Sequence, residues 1–141
     1  MDILNESYET VIRAKIGVDS YDLTNDDIND SKSPLLAEVI VERRVEDYAS
    51  ISDEADLFFL EDAVINYACY LLCPVVSRKV NIEVKTLDTT WKKEKISWSD
   101  LAAYFLNKYE EALLNIESVD VNIADTQLVD KIEFDYIPIG E

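Results

Sequence analysis

The chain has 141 residues, enough for one domain with a single core and too few for two. Its formal net charge is -17, and it contains no histidine and only two glycines. Such a charge excludes a surface built to neutralise duplex phosphates, and the composition excludes imidazole metal sites, histidine-activated nucleophiles and glycine-rich phosphate loops.

In chain order, Leu4, Tyr8, Val11, Ile12 and Ile16 recur at helical spacing, and Gly17 stands where a left-handed cap closes a helix. The polar link that follows places Asp27 three residues after Thr24, which predicts a single helical turn with a capping box. Asp26, Asp27 and Asp30 lack the glycine and closing glutamate of a calcium loop, so a solvated acidic link is expected. Ser33 and Pro34 predict the N-cap and first residue of a second helix. Its apolar face is read as Leu36, Val39, Ile40 and Val45, and its end falls near Asp47 or Tyr48.

Ser52, followed by Asp53, Glu54 and Asp56, predicts a long helix opened by acids that oppose its dipole. Its stripe is Leu57, Leu60, Val64, Tyr67, Ala68, Leu71, Leu72 and Val75, the expected centre of the core, with Pro74 expected to kink or end it. Cys69 and Cys73 share one face of this helix and predict buried, reduced thiols. With no signal peptide and no apolar run approaching about 20 residues, a reducing cytosol is the expected place of synthesis, with no membrane partner.

Val80, Ile82 and Val84 alternate with Asn81, Glu83 and Lys85, the period of a half-buried strand. With the turn "LDTT" and the return "WKKEKI" they predict a β-hairpin over residues 79–96. Ser97 or Ser99 caps a last long helix lined by Leu101, Phe105, Tyr109, Ala112, Leu113 and Ile116. Val119, Val121 and Ile123 alternate again, as do Ile132, Phe134 and Tyr136, predicting short strands that need an edge elsewhere. The expected fold is therefore mainly α: a bundle of about four helices with a hairpin insertion and short C-terminal strands. Residues 1–116 form the bundle, and 117–141 form an extended segment that reaches a partner subunit.

Charge is unevenly spread. Residues 1–77 hold 5 basic and 17 acidic groups, 78–108 hold 7 and 4, and 109–141 hold 1 and 9, so the middle block is a basic island. Lys85, Lys92, Lys93 and Lys95, with Trp91 among them, read either as a solvated hairpin protected from edge pairing or as a contact with a partner. Ile132, Phe134, Tyr136 and Ile137 are the other partner-binding candidates, because a terminal strand adds to a neighbour's sheet through free backbone groups. Adjacent acids such as Glu61 and Asp62, or Glu110 and Glu111, diverge on a helix and make poor acid–base pairs. No catalytic, cofactor or metal residues are expected.

The order of parts carries a resemblance. A short first helix leads to "YDLTNDDI", then to "SPLLAEVIVERR", then to a long helix ending "ACYLLCPVV". After these come "TTWKKEKISW" and the final helix "DLAAYFLNKYEEALLNI". From about Asn5 to Ile116 this resembles the head–tail connector (adaptor) proteins of tailed bacteriophages, small helical-bundle proteins that dock beneath the portal. The resemblance implies a virion structural protein of the neck, assembled in the host cytoplasm and not an enzyme. It also implies a dodecameric ring of identical subunits, with a portal protein above, a tail-completion or stopper protein below, and genome DNA passing through the channel without specific binding. Acid rather than lysine at the lumen suits such a channel, and a basic island lets acidic subunits pack head to tail. The alternative from another class is an acidic DNA mimic that inhibits a nucleic-acid enzyme.

Overall fold

The computed structural model describes residues 3–86 and 97–122, with side chains through residue 78 in the first span. The protein is mainly helical. Among the described residues five α-helices follow in order: α1 (Tyr8–Ile16), α2 (Asn25–Asp30), α3 (Ser33–Arg44), α4 (Glu54–Thr86) and α5 (Trp98–Leu114). Among the described residues there is no strand.

Local chemistry sets most of the boundaries. Gly17 closes α1 at φ 88°, a left-handed conformation that only glycine adopts cheaply, and its N–H donates to the Arg13 carbonyl. Thr24 and Asp27 form the predicted capping box at α2, each side chain accepting from the other residue's N–H at 3.0 Å. At α4 the cap is Asp53 rather than Ser52: its Oδ2 accepts from the Asp56 N–H at 3.1 Å. Ser97 caps α5 by accepting from the Asp100 N–H at 3.3 Å.

The α4 helix is the centre on which α1, α3 and α5 pack. Its buried face is Leu60, Ala63, Val64, Ile65, Ala68, Cys69, Leu72, Cys73 and Val76. Ile12 and Ile16 of α1, Ala37 and Val41 of α3, and Phe105, Tyr109, Ala112 and Leu113 of α5 close around it. The chain beyond α5 meets the start of α4, where the Glu117 N–H donates to Asp56, so α4 and α5 run antiparallel. At about 1.5 Å per residue the 33 residues of α4 span about 50 Å, against about 26 Å for the 17 residues of α5. The central helix therefore outruns its partner by some four turns.

Several expectations are corrected. Of the two outcomes expected at Pro74, a kink or an end, the end does not occur, and Pro74 lies inside α4. It deprives only the Tyr70 carbonyl of an intrahelical partner, and the buried residues on either side, Leu72, Cys73 and Val76, hold the helix to the core. The hairpin's expected first strand is helical through Thr86. Val76, Val80 and Val84 are spaced by four and continue one helical face, so the alternation that suggested a strand also fits a helix. The α3 helix begins at Ser33 with Lys32 as its cap, and it ends at Arg44, short of the expected Asp47. It buries Ala37, Glu38 and Val41 while leaving Leu36 47% and Val39 37% exposed. In α4, Leu57 is exposed and Leu71 half-buried, so the stripe is rotated from the expected one. Val119 and Val121, expected in a strand, lie in irregular chain packed against the core.

Glu54–Arg78 also comes closer to a membrane-spanning composition than the sequence reading allowed, with a mean hydropathy of 1.4 over its most apolar stretch. Some 56% of that stretch is buried in the bundle, as expected of a central helix.

Candidate functional site

Three charged side chains on α3 and α4 hold the segments that flank the bundle. Glu38, only 4% exposed, accepts from the Ile3 and Leu4 N–H groups at 3.0 and 3.1 Å. Asp56, also 4% exposed, accepts from the Glu117 and Ser118 N–H groups at 3.2 and 2.9 Å. Hydrogen bonds from Ser118, with the Glu117 N–H, hold the Asp56 carboxyl below the ordinary carboxylate value. Carboxylates can be placed this deep because backbone donors replace the lost water.

Arg44 completes the set. Its guanidinium reaches Glu110 at 2.7 Å and the Tyr109 hydroxyl at 3.4 Å, and its Nε donates to the Asn122 carbonyl at 3.0 Å. Asn122 returns its N–H to the Arg44 carbonyl at 2.7 Å. Burial works against the charge, but Glu110 and Tyr109 hold the Arg44 guanidinium above its ordinary pKa. Burial likewise raises Tyr109, and lifts the neighbouring Tyr67 to about 12. Residues 117–122, the start of the segment expected to reach a partner subunit, are thus bonded to the bundle up to the last described residue.

The start of α4 also borders a cleft of about 560 Å³. Ile3, Tyr48, Ile51, Leu57, Phe58 and Leu60 line it, with Glu54 and Glu61 among its polar groups. Phe58 is 61% and Leu57 43% exposed, so the apolar lining opens to the surface. Residues 46–62 supply Glu46, Asp47, Asp53, Glu54, Asp56, Glu61 and Asp62 and not one lysine or arginine. Asp62 is paired with Lys15 of α1 at 3.3 Å, while Glu61 accepts from the Asn5 N–H at 3.2 Å. The result is an apolar cleft whose two charged lining groups, Glu54 and Glu61, are both acidic. Such a site favours a partner that is cationic and aromatic or aliphatic together.

The sequence-predicted contact residues are not gathered here. Lys85 lies on the last turn of α4, at the far end of that helix from the cleft. Trp91, Lys92, Lys93, Lys95, Ile132, Phe134, Tyr136 and Ile137 lie outside the described residues. Sequence reading missed Phe58 and Arg44. The adjacent pair Phe58 and Phe59 was the available signal, since one stripe cannot bury two consecutive aromatic rings.

Cys69 and Cys73 are both buried and unpaired, as their spacing predicts. Burial pushes the Cys73 thiol up to about 11 and the Cys69 thiol further. Neither is an activated nucleophile. Among the described residues no cluster of three or more His, Cys, Asp or Glu is arranged to hold a metal ion.

Compared with known proteins, the chain matches no family model, no curated protein and no solved structure.

Proposed function

We propose that this chain is a structural, non-catalytic head–tail connector (adaptor) of a tailed bacteriophage. In this reading it assembles as a ring between the portal and a tail-completion or stopper protein and lines the channel through which DNA passes. The observation that carries the reading is the apolar surface left uncovered on several helices. Leu35, Leu36 and Val39 on α3, Leu57 and Phe58 on α4, and Tyr104 and Leu114 on α5 are all more than a third exposed. Scattered apolar residues are normal on a surface, but groups on three helices suit a subunit that buries several faces in an assembly. The helices follow one another in the order that the connector resemblance implies, although the chain is helical through Thr86 where the resemblance implies the start of a β excursion. The acidic balance suits a lumen that DNA must slide past without sticking.

The finer β features belong to this proposal. A strand-forming segment including Ile132, Phe134, Tyr136 and Ile137 is the tether to another subunit or to the portal, leaving the bundle after Asn122. The DNA-mimic alternative draws on the unbroken acidity of residues 46–62. It is the weaker reading, because a mimic presents carboxylates across its face and here they border an apolar cleft.

Sedimentation with purified portal rings of the same virus separates the two. A connector co-migrates with the portal and leaves duplex DNA unbound at physiological salt. A chain that stays at the monomer position beside the portal, and displaces DNA from a nucleic-acid enzyme, is a mimic.

A further inference from the structure

We infer that the cleft at the start of α4 receives the lysine-rich segment 78–95 of a second copy of this chain, so that copies meet head to tail. The inference rests on the connector reading for the expectation that copies lie side by side, and it names the contact between them.

The cleft fixes what its occupant must carry. Its floor is apolar and reaches the surface through Leu57 and Phe58, so part of the occupant is aromatic or aliphatic. Its charged lining groups, Glu54 and Glu61, are both acidic and no base lines it, so the rest of the occupant is cationic. Within this chain two segments that carry apolar residues lie wholly or partly outside the described residues. Residues 123–141 carry five acids against Lys131 alone, and like charge makes them a poor guest. Residues 78–95 carry Arg78, Lys79, Lys85, Lys92, Lys93 and Lys95 against three acids, with Trp91 inside the run. Trp and Arg beside lysine are the side chains that seat well in an apolar, negative cleft.

The same chain cannot supply this segment to its own cleft. Phe58 and Thr86 both lie on α4, 28 residues apart, which is about 42 Å at the helical rise. The connection from Thr86 to Ser97 extends to about 40 Å at most, and it must end at the start of α5 rather than at the cleft. The cleft and the stretch of the basic segment that lies on α4, Arg78 to Lys85, therefore sit toward opposite ends of one long helix, and each finds its complement only on another molecule. A contact between two different surfaces of identical chains is heterologous, and it closes into a ring when the rotation per subunit allows.

The test uses the full chain with one new cysteine per variant, since Cys69 and Cys73 are buried. Glu54→Cys and Lys92→Cys chains are treated with a short bis-maleimide, separately and mixed, at low salt. The mixture is expected to give linked dimers at least tenfold above either variant alone, and the yield should fall as salt screens the contact. Phe58→Ser in the Glu54→Cys chain should remove the linking while leaving the helical circular dichroism and melting transition in place. No excess in the mixture, or equal linking of Glu54→Cys chains to themselves, overturns the inference. Linking without portal docking removes the connector reading and leaves this contact standing. Portal docking without linking does the reverse.

Discussion

Leu71 and Leu72 are neighbours with opposite fates, and substituting each in turn measures the rotation of α4. Leu72 is fully buried between its neighbours, whereas Leu71 is only half-buried. Truncating Leu72 to Ala removes three carbons, worth about 2.4 kcal/mol at about 0.8 kcal/mol each. A residual cavity of about 50 Å³ adds about 1.2 kcal/mol at roughly 24 cal/mol per Å³, giving about 3.6 kcal/mol in all. The same truncation at Leu71 loses about half the transfer term, about 1.2 kcal/mol, and leaves no closed cavity. With a urea slope of about 2 kcal/mol/M, the unfolding midpoint falls by about 1.8 M for Leu72→Ala and about 0.6 M for Leu71→Ala. Far-ultraviolet circular dichroism follows both transitions. Equal losses at the two positions, or a larger one at Leu71, would refute the orientation of the central helix and every face assigned from it.

Acid should weaken the hold of α4 on residues 117–118. The Asp56 carboxyl is depressed in the fold, so its contribution is complete above the ordinary value of 3.8 and is lost as pH falls through the lower folded value. Asp56→Asn should therefore lower the urea midpoint at pH 7, and the gap from the parent chain should narrow below about pH 4. Arg44→Leu should cost about 1 kcal/mol, the partly exposed Glu110 limiting the loss, and hydrogen exchange should speed up at the Asn122 amide. Both native thiols should resist a thiol reagent at pH 8 in the folded chain and react fully in denaturant, read by absorbance.

Where the sequence was legible, the signal was local. Gly17, the box of Thr24 and Asp27, and the cap at Ser97 each need only a few neighbouring residues, and each stands where the pattern placed it. The stripe of α5 was legible because its apolar residues fall on one side, and Phe105, Tyr109, Ala112, Leu113 and Ile116 are all buried. The faces of α3 and α4 were harder. Leu35, Leu36, Val39 and Ile40 fall on one side of α3, yet Ala37, Glu38 and Val41 on the other side face inward, so spacing alone pointed to the wrong face. Glu38 is buried because Ile3 and Leu4 return to it from more than thirty residues away, a contact that no local window contains. Val80, Ile82 and Val84 satisfy the strand period, and Val80 with Val84 satisfies the helical one, so the end of α4 was ambiguous until the backbone decided it. The cleft was not legible at all, since it joins the start of the chain, the turn at Tyr48 and the first turns of α4.

The central claim is that this acidic bundle is a ring subunit of a phage neck. Native mass spectrometry of the purified chain mixed with its cognate portal ring tests it most directly. One complex carrying a full ring of this chain on each portal, dodecameric by the connector resemblance, is the predicted result. A spectrum containing only the free portal and the free 141-residue chain, at low and physiological salt alike, would contradict it.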